Sequence, residues 1–320
     1  MFLSAILLLL GISGNFLTEA VDTIQLSTGA SIPVLGLGTW QANDENELRE
    51  ALKTAIDSGY RLIDTAYHYH NEEAIGKILK ELIDSGKVKR EDLFITSKLS
   101  MGAHDPNDVE KSVEGQLKAL QMDYIDLYLM HSPMPWKVDN DTFTPITAIG
   151  LSNFNATQLQ NVYDNARIKP ANLQVECHLY WPQDELYELC QKLNISFTAY
   201  APLGSPGRKA KHPEMAWPDG DPLSDPVVKE IAQNHNKTPA QILLRYLIQL
   251  GRIAIPKSVK PEHIKENINI FDFTLTDEEM TKLKEVKTRT RLFIWPFSFE
   301  HPFFPFADVD KSKYPKQPKP

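Results

Sequence analysis

The sequence has 320 residues, of which 42% are hydrophobic and 24% are charged. A chain of this length and composition can bury a full core, in one large domain or in two smaller ones. The formal net charge of −8 argues against a nucleic-acid partner, because binding to a phosphate backbone depends on Lys and Arg.

The first 20 residues differ from the rest of the chain. Phe2 to Leu10 is almost entirely apolar, too short to span a bilayer, and is followed by small residues. Thr18-Glu19-Ala20 offers a cleavage site before Val21, although no basic segment precedes the apolar run. We predict a signal peptide at 1–20 and a protein that is secreted or retained in the endoplasmic reticulum lumen. A misassigned start codon, a buried strand and a cytoplasmic protein are the alternatives.

Two other features bear on the compartment. Four sequons for N-glycosylation occur, at Asn140, Asn155, Asn194 and Asn236. They fit a luminal route but also arise by chance. Cys177 lies on a predicted strand and Cys190 on the next helix, both at apolar-facing positions. Buried free thiols are therefore favoured over a disulfide.

The pattern from Thr23 onward predicts a barrel. Thr23 to Pro33 alternates around Thr28-Gly29, as in a β-hairpin. Apolar residues at helical spacing then mark helices, the first through Leu48, Ala51, Leu52, Ala55 and Ile56. Between the helices, strands are predicted near 36–39, 61–65, 93–97, 125–131, 148–152, 172–177, 195–200 and 252–256. Eight strands in this alternation predict a parallel sheet closed into a (β/α)8 TIM barrel.

A doubly wound sheet is the alternative to the barrel. It is disfavoured because Gly36-Leu-Gly-Thr-Trp-Gln lacks the third glycine of the dinucleotide-binding fingerprint. We therefore place a single barrel domain at 21–306 and a polar, Pro- and Lys-rich tail at 307–320. The end of that tail, from Lys311 to Pro320, is predicted to be disordered.

One crossover of the barrel breaks the pattern. The strands ending at His131 and beginning at Ala148 are joined by a link rich in proline. An amphipathic helix is excluded there by Pro133, Pro135 and Pro145, together with Asn140-Asp141. We predict that the helix between the fourth and fifth barrel strands is missing. Because parallel strands are buried on both faces, we expect their outward side chains to be partly exposed and the barrel to be marginally stable or covered by another chain.

Polar side chains end three of the predicted strands. Asp64 follows Leu62-Ile63, Lys98 ends the strand that begins at Phe94, and His131 follows an apolar strand. Tyr69 lies on the loop that follows Asp64. A buried carboxylate near a phenol suggests acid–base chemistry, and the alternative is a structural salt bridge beneath an unrelated tyrosine.

These residues, in this order, resemble the aldo-keto reductases of the aldose and aldehyde reductase type. Further motifs carry the resemblance: GLGTW (36–40), SNFN (152–155), QVECH (174–178), YAPLGS (200–205) and IPKSV (255–259). The resemblance spans Thr23 to Phe306, and several independent motifs in the correct order make it strong. It implies reduction of aldehydes or ketones with NADP(H), and an aromatic loop at 292–306 that closes over the substrate.

The resemblance also assigns catalytic roles that agree with the chemistry. A carbonyl that receives hydride needs a proton, and a phenol with a pKa near 10 donates one readily only when a cation stabilises its phenolate. Tyr69 is implied as the proton donor. Lys98 and Asp64 are implied as the pair that tunes it, and His131 as the group that orients the substrate oxygen.

The cofactor residues implied by the resemblance follow the later strands. Ser152, Asn153 and Gln174 would bind the carboxamide, and Tyr200 would stack on the nicotinamide ring. The remaining implied cofactor contacts are Leu203, Ser205, Lys257, Ser258, His263 and Asn267. Lys257 would contact the 2′-phosphate, but His263 replaces an arginine of the family pattern, so the hold on the phosphate should weaken once this histidine is neutral.

Gln174, Glu176 and His178 alternate along one strand and should face the barrel interior. They need polar partners there, which a cofactor amide would partly supply; a polar layer that satisfies itself is the alternative.

The remaining expectations concern substrate, metal and partners. The resemblance implies that Trp40 lies beside the substrate pocket, where it would favour flat apolar carbonyl compounds. His68 and His70 flank Tyr69 without a third ligand, so no metal is predicted.

We expect a monomer or weak oligomer without a membrane span. A secreted protein of the same fold with little or no activity is the alternative function, and a structural, crystallin-like role has no distinguishing feature.

Overall fold

A computed structural model of the chain describes residues 21–135, 147–211, 213 and 217–314. The predicted signal peptide and most of the link between the fourth and fifth barrel strands lie outside these ranges. Within the described ranges, no helix is long and apolar enough to cross a bilayer.

A hairpin closes one end of the molecule. Strands β1 (Thr23–Gln25) and β2 (Ser31–Pro33) pair antiparallel, as predicted. Leu26 and Ile32 of this hairpin are buried. They pack against side chains of the barrel strands, namely Leu62, Phe94, Leu127, Leu129, Ala148, Ala171, Ile253 and Ile255. The hairpin therefore seals the bottom of the barrel with apolar surface.

Eight parallel strands form the barrel. They are β3 (Gly36–Gly38), β4 (Leu62–Asp64), β5 (Phe94–Leu99), β6 (Leu127–Met130), β7 (Ile149–Ser152), β8 (Asn172–Glu176), β9 (Ser196–Tyr200) and β10 (Ile253–Ala254). Each strand pairs with the next along the chain. Bridges Leu35↔Ala254 and Gly38↔Lys257 join the first strand region to the last. The predicted (β/α)8 barrel is confirmed, and the doubly wound alternative is wrong.

The helices cover the outside of the strands. They are α1 (Glu45–Asp57), α2 (Glu72–Asp84), α3 (Pro106–Leu120), α4 (Ala156–Asn165), α5 (Asp184–Lys192), α6 (Arg208–Lys211), α7 (Pro226–His235), α8 (Pro239–Gln249), α9 (Pro261–Ile268) and α10 (Asp277–Lys284). Asp44 caps α1 by accepting from two backbone N–H groups, and Asp105 caps α3 before its first-turn proline. The apolar stripe predicted for α1 is buried along its whole length.

Most of the crossover between β6 and β7, at 136–146, lies outside the described residues, so the missing helix stays a prediction. The expected exposure of the two strands is only partly seen. Tyr128 and Leu151 point outward but are each 4% exposed, whereas Met130 and Ile149 are partly buried. Tyr128 is covered because its hydroxyl donates to Gln116 of α3. Two of these four outward side chains are therefore buried by neighbouring elements.

The C-terminal region is more ordered than the sequence suggests. Arg291 forms a two-bond ion pair with Asp308, and the Lys311 ammonium donates to the Phe299 carbonyl. Residues 311–313 form one turn of 3-10 helix. The predicted disorder is therefore wrong for 311–314, because this segment is held by the aromatic loop; 315–320 lie outside the described residues.

Both cysteines are free and buried, as predicted. Cys177 directly follows β8 rather than lying within it, and Cys190 is on α5. Burial raises the pKa of the Cys177 thiol to about 11, so this group is an unreactive thiol at neutral pH.

Candidate active site

Lys98 lies at the centre of the predicted catalytic group. Its ammonium is 2.7 Å from the Asp64 carboxylate, 2.9 Å from the Thr65 carbonyl and 3.2 Å from the Tyr69 hydroxyl. The side chain is 1% exposed. Asp64 and Lys98 come together because β4 and β5 are neighbours and both end at the same rim of the barrel.

Tyr69 is held above Lys98 by the loop after β4. Residues 67–69 form one 3-10 turn, and His70 follows in the left-handed region with φ of 54°. The Asn71 side chain donates to the carbonyls of Thr39 at 2.9 Å and Ala42 at 3.2 Å. The tyrosine loop is thus tied to the loop after β3, which fixes the phenol relative to the barrel rim.

His131 completes the group on the other side of Tyr69. The two rings are 5.9 Å apart and nearly perpendicular. Burial lowers the pKa of His131 well below its ordinary value, and the positive charge of Lys98 lowers it further. The imidazole is therefore neutral, and a neutral ring can donate one N–H to a substrate oxygen. Its Nδ1 atom is buried and has no hydrogen-bond partner among the described residues.

The environment keeps Tyr69 protonated. Burial raises the pKa of the Tyr69 phenol well above its ordinary value, and the charges of Asp64 and Glu72 act in the same direction. Burial lowers the pKa of Lys98, while Asp64 opposes that shift. A neutral phenol beside a charged ammonium is an arrangement that holds a proton until a stronger base forms next to it.

A cavity of about 820 Å³ opens above these residues. It is lined by residues that the sequence singled out, namely Trp40, Asp64, Tyr69, His131, Ser152, Asn153, Gln174, Tyr200, Leu203, Ser205, Lys257, Ser258, His263 and Asn267. Lys98 lies below the cavity wall. The structure thus brings the predicted catalytic, cofactor and substrate residues into one place, and their individual roles stay predictions.

The amide groups of the cavity are bonded to the catalytic strands. The Gln174 amide donates to the second Asp64 oxygen at 2.7 Å. The Asn153 amide donates to the His131 carbonyl at 3.0 Å and accepts from the Tyr200 hydroxyl at 2.8 Å. Sequence reasoning missed the Gln174 contact, which holds the Asp64 oxygen that Lys98 does not bind.

Glu176 and His178 hold the start of the aromatic loop in place, which sequence reasoning did not predict. The Glu176 carboxylate is fully buried and accepts from the backbone N–H groups of Leu292 and Phe293 and from the His178 ring at 3.0 Å. The expected cofactor amide is therefore not needed to satisfy these side chains, because a distant segment of the same chain supplies the partners. One buried carboxylate fixes the start of the loop.

Phe293, fixed in this way, forms the aromatic wall of the cavity. Its ring makes edge contacts with Trp40 at 5.7 Å, Tyr200 at 5.5 Å and Trp217 at 5.6 Å. Trp295 lines the same cavity. The aromatic stretch 292–306 pointed to this loop, but only the fold selects Phe293 as its central residue.

The histidines beside Tyr69 are held by the protein itself. His68 accepts from the Met101 backbone N–H at 3.2 Å. In the part of the chain that the structure describes, no group of three or more His, Cys, Asp or Glu is placed to hold a metal ion.

The chain is similar in sequence to known proteins of one family. A sequence model described as "Aldo/keto reductase family" matches residues 34–288. Aldo-keto reductase family 1 member A1 from Gallus gallus is 39% identical over 332 residues, with 91% of this chain and 99% of the relative covered. The Bos taurus protein of the same name is 41% identical over 329 residues, with 90% and 99% covered.

A solved structure is similar over the same extent. The aldose reductase from Schistosoma japonicum has a TM-score of 0.81 and 39% sequence identity, covering 90% of this chain and 99% of that one. The alignment with the Bos taurus relative, at 329 residues, is longer than the 320 residues of this chain, as a deletion here would require.

Proposed function

Because the chain belongs to the aldo/keto reductase family, we propose that it is an NADP(H)-dependent enzyme that reduces aldehyde or ketone carbonyls to alcohols. The observation that carries this proposal is the buried chain of contacts from Asp64 through Lys98 to the Tyr69 hydroxyl, beneath a large cavity. A structural salt bridge would not require a phenol at the cavity face.

The residues account for the proton that carbonyl reduction needs. When bound, the dinucleotide supplies the hydride. The Tyr69 hydroxyl donates the proton to the oxygen that becomes the alcohol, and Lys98 stabilises the phenolate that Tyr69 becomes. Asp64 keeps Lys98 oriented and charged. The N–H of the neutral His131 ring donates to the substrate oxygen and fixes its direction.

The cavity suits a phosphorylated dinucleotide. The Gln41 amide nitrogen lies at its edge, is buried, and has no hydrogen-bond partner in the described residues. Lys257 and Lys211 line one end with their positive charges, which suits phosphate groups. Ser152 and Asn153 line the other part of the cavity beside Tyr200, where the carboxamide and ring of the nicotinamide would bind.

The wall of the cavity favours flat apolar substrates. Trp40, Phe293 and Trp295 surround the approach to Tyr69 and His131 with aromatic surface. Aromatic aldehydes would bury apolar area there while their carbonyl oxygen reaches the two polar groups. We propose aromatic carbonyl compounds as the first substrates to test.

A non-catalytic or weakly active protein of the same fold is the second candidate, and the predicted loss of the helix between β6 and β7 favours it. A direct assay distinguishes the two proposed functions. The protein beginning at Val21 is purified, and NADPH absorbance is followed with and without an aromatic aldehyde. Aldehyde-dependent loss of NADPH supports the enzyme. NADPH binding without any aldehyde-dependent loss would favour the non-catalytic alternative.

We also propose that the protein enters the secretory pathway. The apolar run and the small residues before Val21 support this proposal.

A further inference from the structure

The loop between β9 and α7 reaches across the cavity and is held in place by one arginine. Arg208, on the short helix α6, is 3% exposed. Its guanidinium donates to the carbonyls of Gly204 and Ser205 before it and of Pro218 and Gly220 after it. Both ends of this 204–220 loop are therefore tied to one side chain, which fixes the direction of α6.

Lys211, the last residue of α6, is thereby presented to the opposite side of the cavity. Its ammonium donates to the backbone carbonyl of Gln41 at 2.7 Å, although the two residues are 170 positions apart in the chain. Gln41 follows β3, on the far side of the last barrel strand. Lys211 thus places a cation from the loop after β9 at the edge of the cavity formed by Gln41.

A second cation lies beside the first. Burial and the neighbouring Lys211 ammonium together lower the pKa of Lys257 to about 8, with an opposing effect from Glu47. No ion pair of either lysine with a carboxylate is found among the described residues. Two adjacent ammonium groups without such a partner repel each other, and an anion bound between them would relieve that repulsion.

A neutral donor lies at the same place. The side-chain amide nitrogen of Gln41 is buried and makes no hydrogen bond in the described part of the chain. Both Gln41 and the two lysines line the one cavity. A buried donor without a partner costs free energy, which a ligand acceptor would recover.

We propose that Lys211, Lys257 and the Gln41 amide together bind a phosphate group of the dinucleotide, with Lys211 supplying the second cation that His263 does not supply when neutral. This inference rests on the proposed NADP(H) dependence. It makes Lys211, the last residue of α6, part of the cofactor site, because its ammonium would contact the ligand directly. A dianionic phosphate monoester matches two ammonium groups better than a diphosphate, in which each phosphate carries one charge. We therefore expect the 2′-phosphate as the ligand.

Lys211→Gln removes the charge and keeps a donor for the Gln41 carbonyl. Lys209→Gln is the matched control, because Lys209 lies on the same turn but pairs with the exposed Asp219 and does not line the cavity. Calorimetric titration with NADPH, NADH and inorganic pyrophosphate is carried out at two ionic strengths. We expect Lys211→Gln to weaken NADPH binding about ten-fold at low ionic strength and to reduce the salt dependence of that binding. Lys209→Gln should bind NADPH as the wild type does.

The probes separate the possible sources of the phosphate. If Lys211→Gln loses affinity for NADPH alone, the ligand of the site is the 2′-phosphate. If it loses affinity equally for NADPH, NADH and pyrophosphate, the ligand is the diphosphate. Either result supports the phosphate site. Unchanged NADPH affinity and salt dependence in Lys211→Gln would overturn it. Titration of the wild-type protein with NADPH and NADH tests the underlying function separately: failure to bind either nucleotide would refute NADP(H) dependence, whatever Lys211 does.

Discussion

The buried ammonium of Lys98 explains why the site depends on Asp64. A charged lysine that is removed from water is stable only when opposite charge and hydrogen bonds replace the solvent. Asp64 supplies the charge, the Thr65 carbonyl accepts a second hydrogen bond, and Gln174 holds the free carboxylate oxygen. The remaining N–H of the Lys98 ammonium donates to the Tyr69 hydroxyl.

Tyr69→Phe tests the proposed proton donor, because it removes only the phenolic hydroxyl. Only the transition state needs the proton, so the variant should bind NADPH as the wild type does while aldehyde reduction falls by about 10²-fold or more. Turnover is measured with the aromatic aldehyde, and binding by NADPH fluorescence. Tyr67→Phe is the control, because Tyr67 is on the same turn but 47% exposed. Near-normal turnover in Tyr69→Phe would mean that another group is the acid.

Three elements meet around a second buried carboxylate. Glu72, in the first turn of α2, accepts from the Ser97 hydroxyl of β5 at 2.5 Å and from the Gln116 amide of α3. The Tyr128 hydroxyl of β6 donates to the same Gln116 side chain. Helices α2 and α3 approach closely at Gly76, where a side-chain Cβ would lie 2.3 Å from the Ala119 carbonyl oxygen. This network links the two helices to the back of the strand that carries Lys98.

Glu72→Gln should change how stability depends on pH. Burial raises the pKa of Glu72 to about 7, from an ordinary value near 4.5, so the folded protein binds this proton more tightly than the unfolded chain. The stability contributed by the proton is present at low pH and is lost as pH rises towards 7. Relative to the wild type, the variant should therefore gain up to roughly 3 kcal/mol in unfolding free energy between pH 5 and pH 8.

Urea unfolding at both pH values measures this difference. Glu73→Gln is the control, because its side chain is exposed on the same turn and should show no such change. An equal stability difference at both pH values would show that Glu72 does not titrate in this range.

At the scale of the whole molecule, a crossover without a helix, as the sequence predicts, would remove cover from the barrel. Tyr128 and Leu151 are nevertheless buried, so Met130 and Ile149 carry most of the loss on the described strands. The predicted destabilisation is accordingly smaller than two fully bare strands would give. Each kilocalorie of lost stability corresponds to about 2–4 °C in melting temperature for a protein of this size or slightly smaller.

Insertion of a family-like amphipathic helix between Pro145 and Ala148 should therefore raise the melting temperature by a few degrees. The inserted helix would cover Met130 and Ile149, and a more rigid rim should also raise specific activity. Thermal unfolding and light scattering are measured together, because self-association could supply the same cover. A polar helix of equal length is the control. No rise in melting temperature for a monomeric protein would show that the helix is dispensable.

Expression in a cell with a secretory pathway tests the compartment. We expect the secreted product to begin at Val21. Asn194 and Asn236 are exposed and should accept glycans. The Asn155 amide instead donates to the Pro305 carbonyl at 3.0 Å, so we expect no glycan there. Mass spectrometry before and after enzymatic deglycosylation measures both features. An unprocessed Met1 terminus on a cytosolic product would contradict the proposal.

The sequence alone determined the barrel and the polar residues that meet at its rim. Periodic apolar residues define strands and helices locally, and their alternation leaves few topologies. Polar residues at strand ends then had to meet, because parallel strands place those ends on one rim. Asp64, Lys98 and His131 could therefore be grouped before any coordinates were known.

Only the tertiary structure decided which partners the remaining side chains take. Glu176 meets the Leu292 backbone across 116 positions of the chain, and Lys211 meets Gln41 across 170. Such pairs carry no local periodicity, since they depend on where long loops land after the barrel has closed. The same reason explains the folded segment at 311–313, whose polar composition predicted disorder although the aromatic loop beside it provides the contacts that hold it.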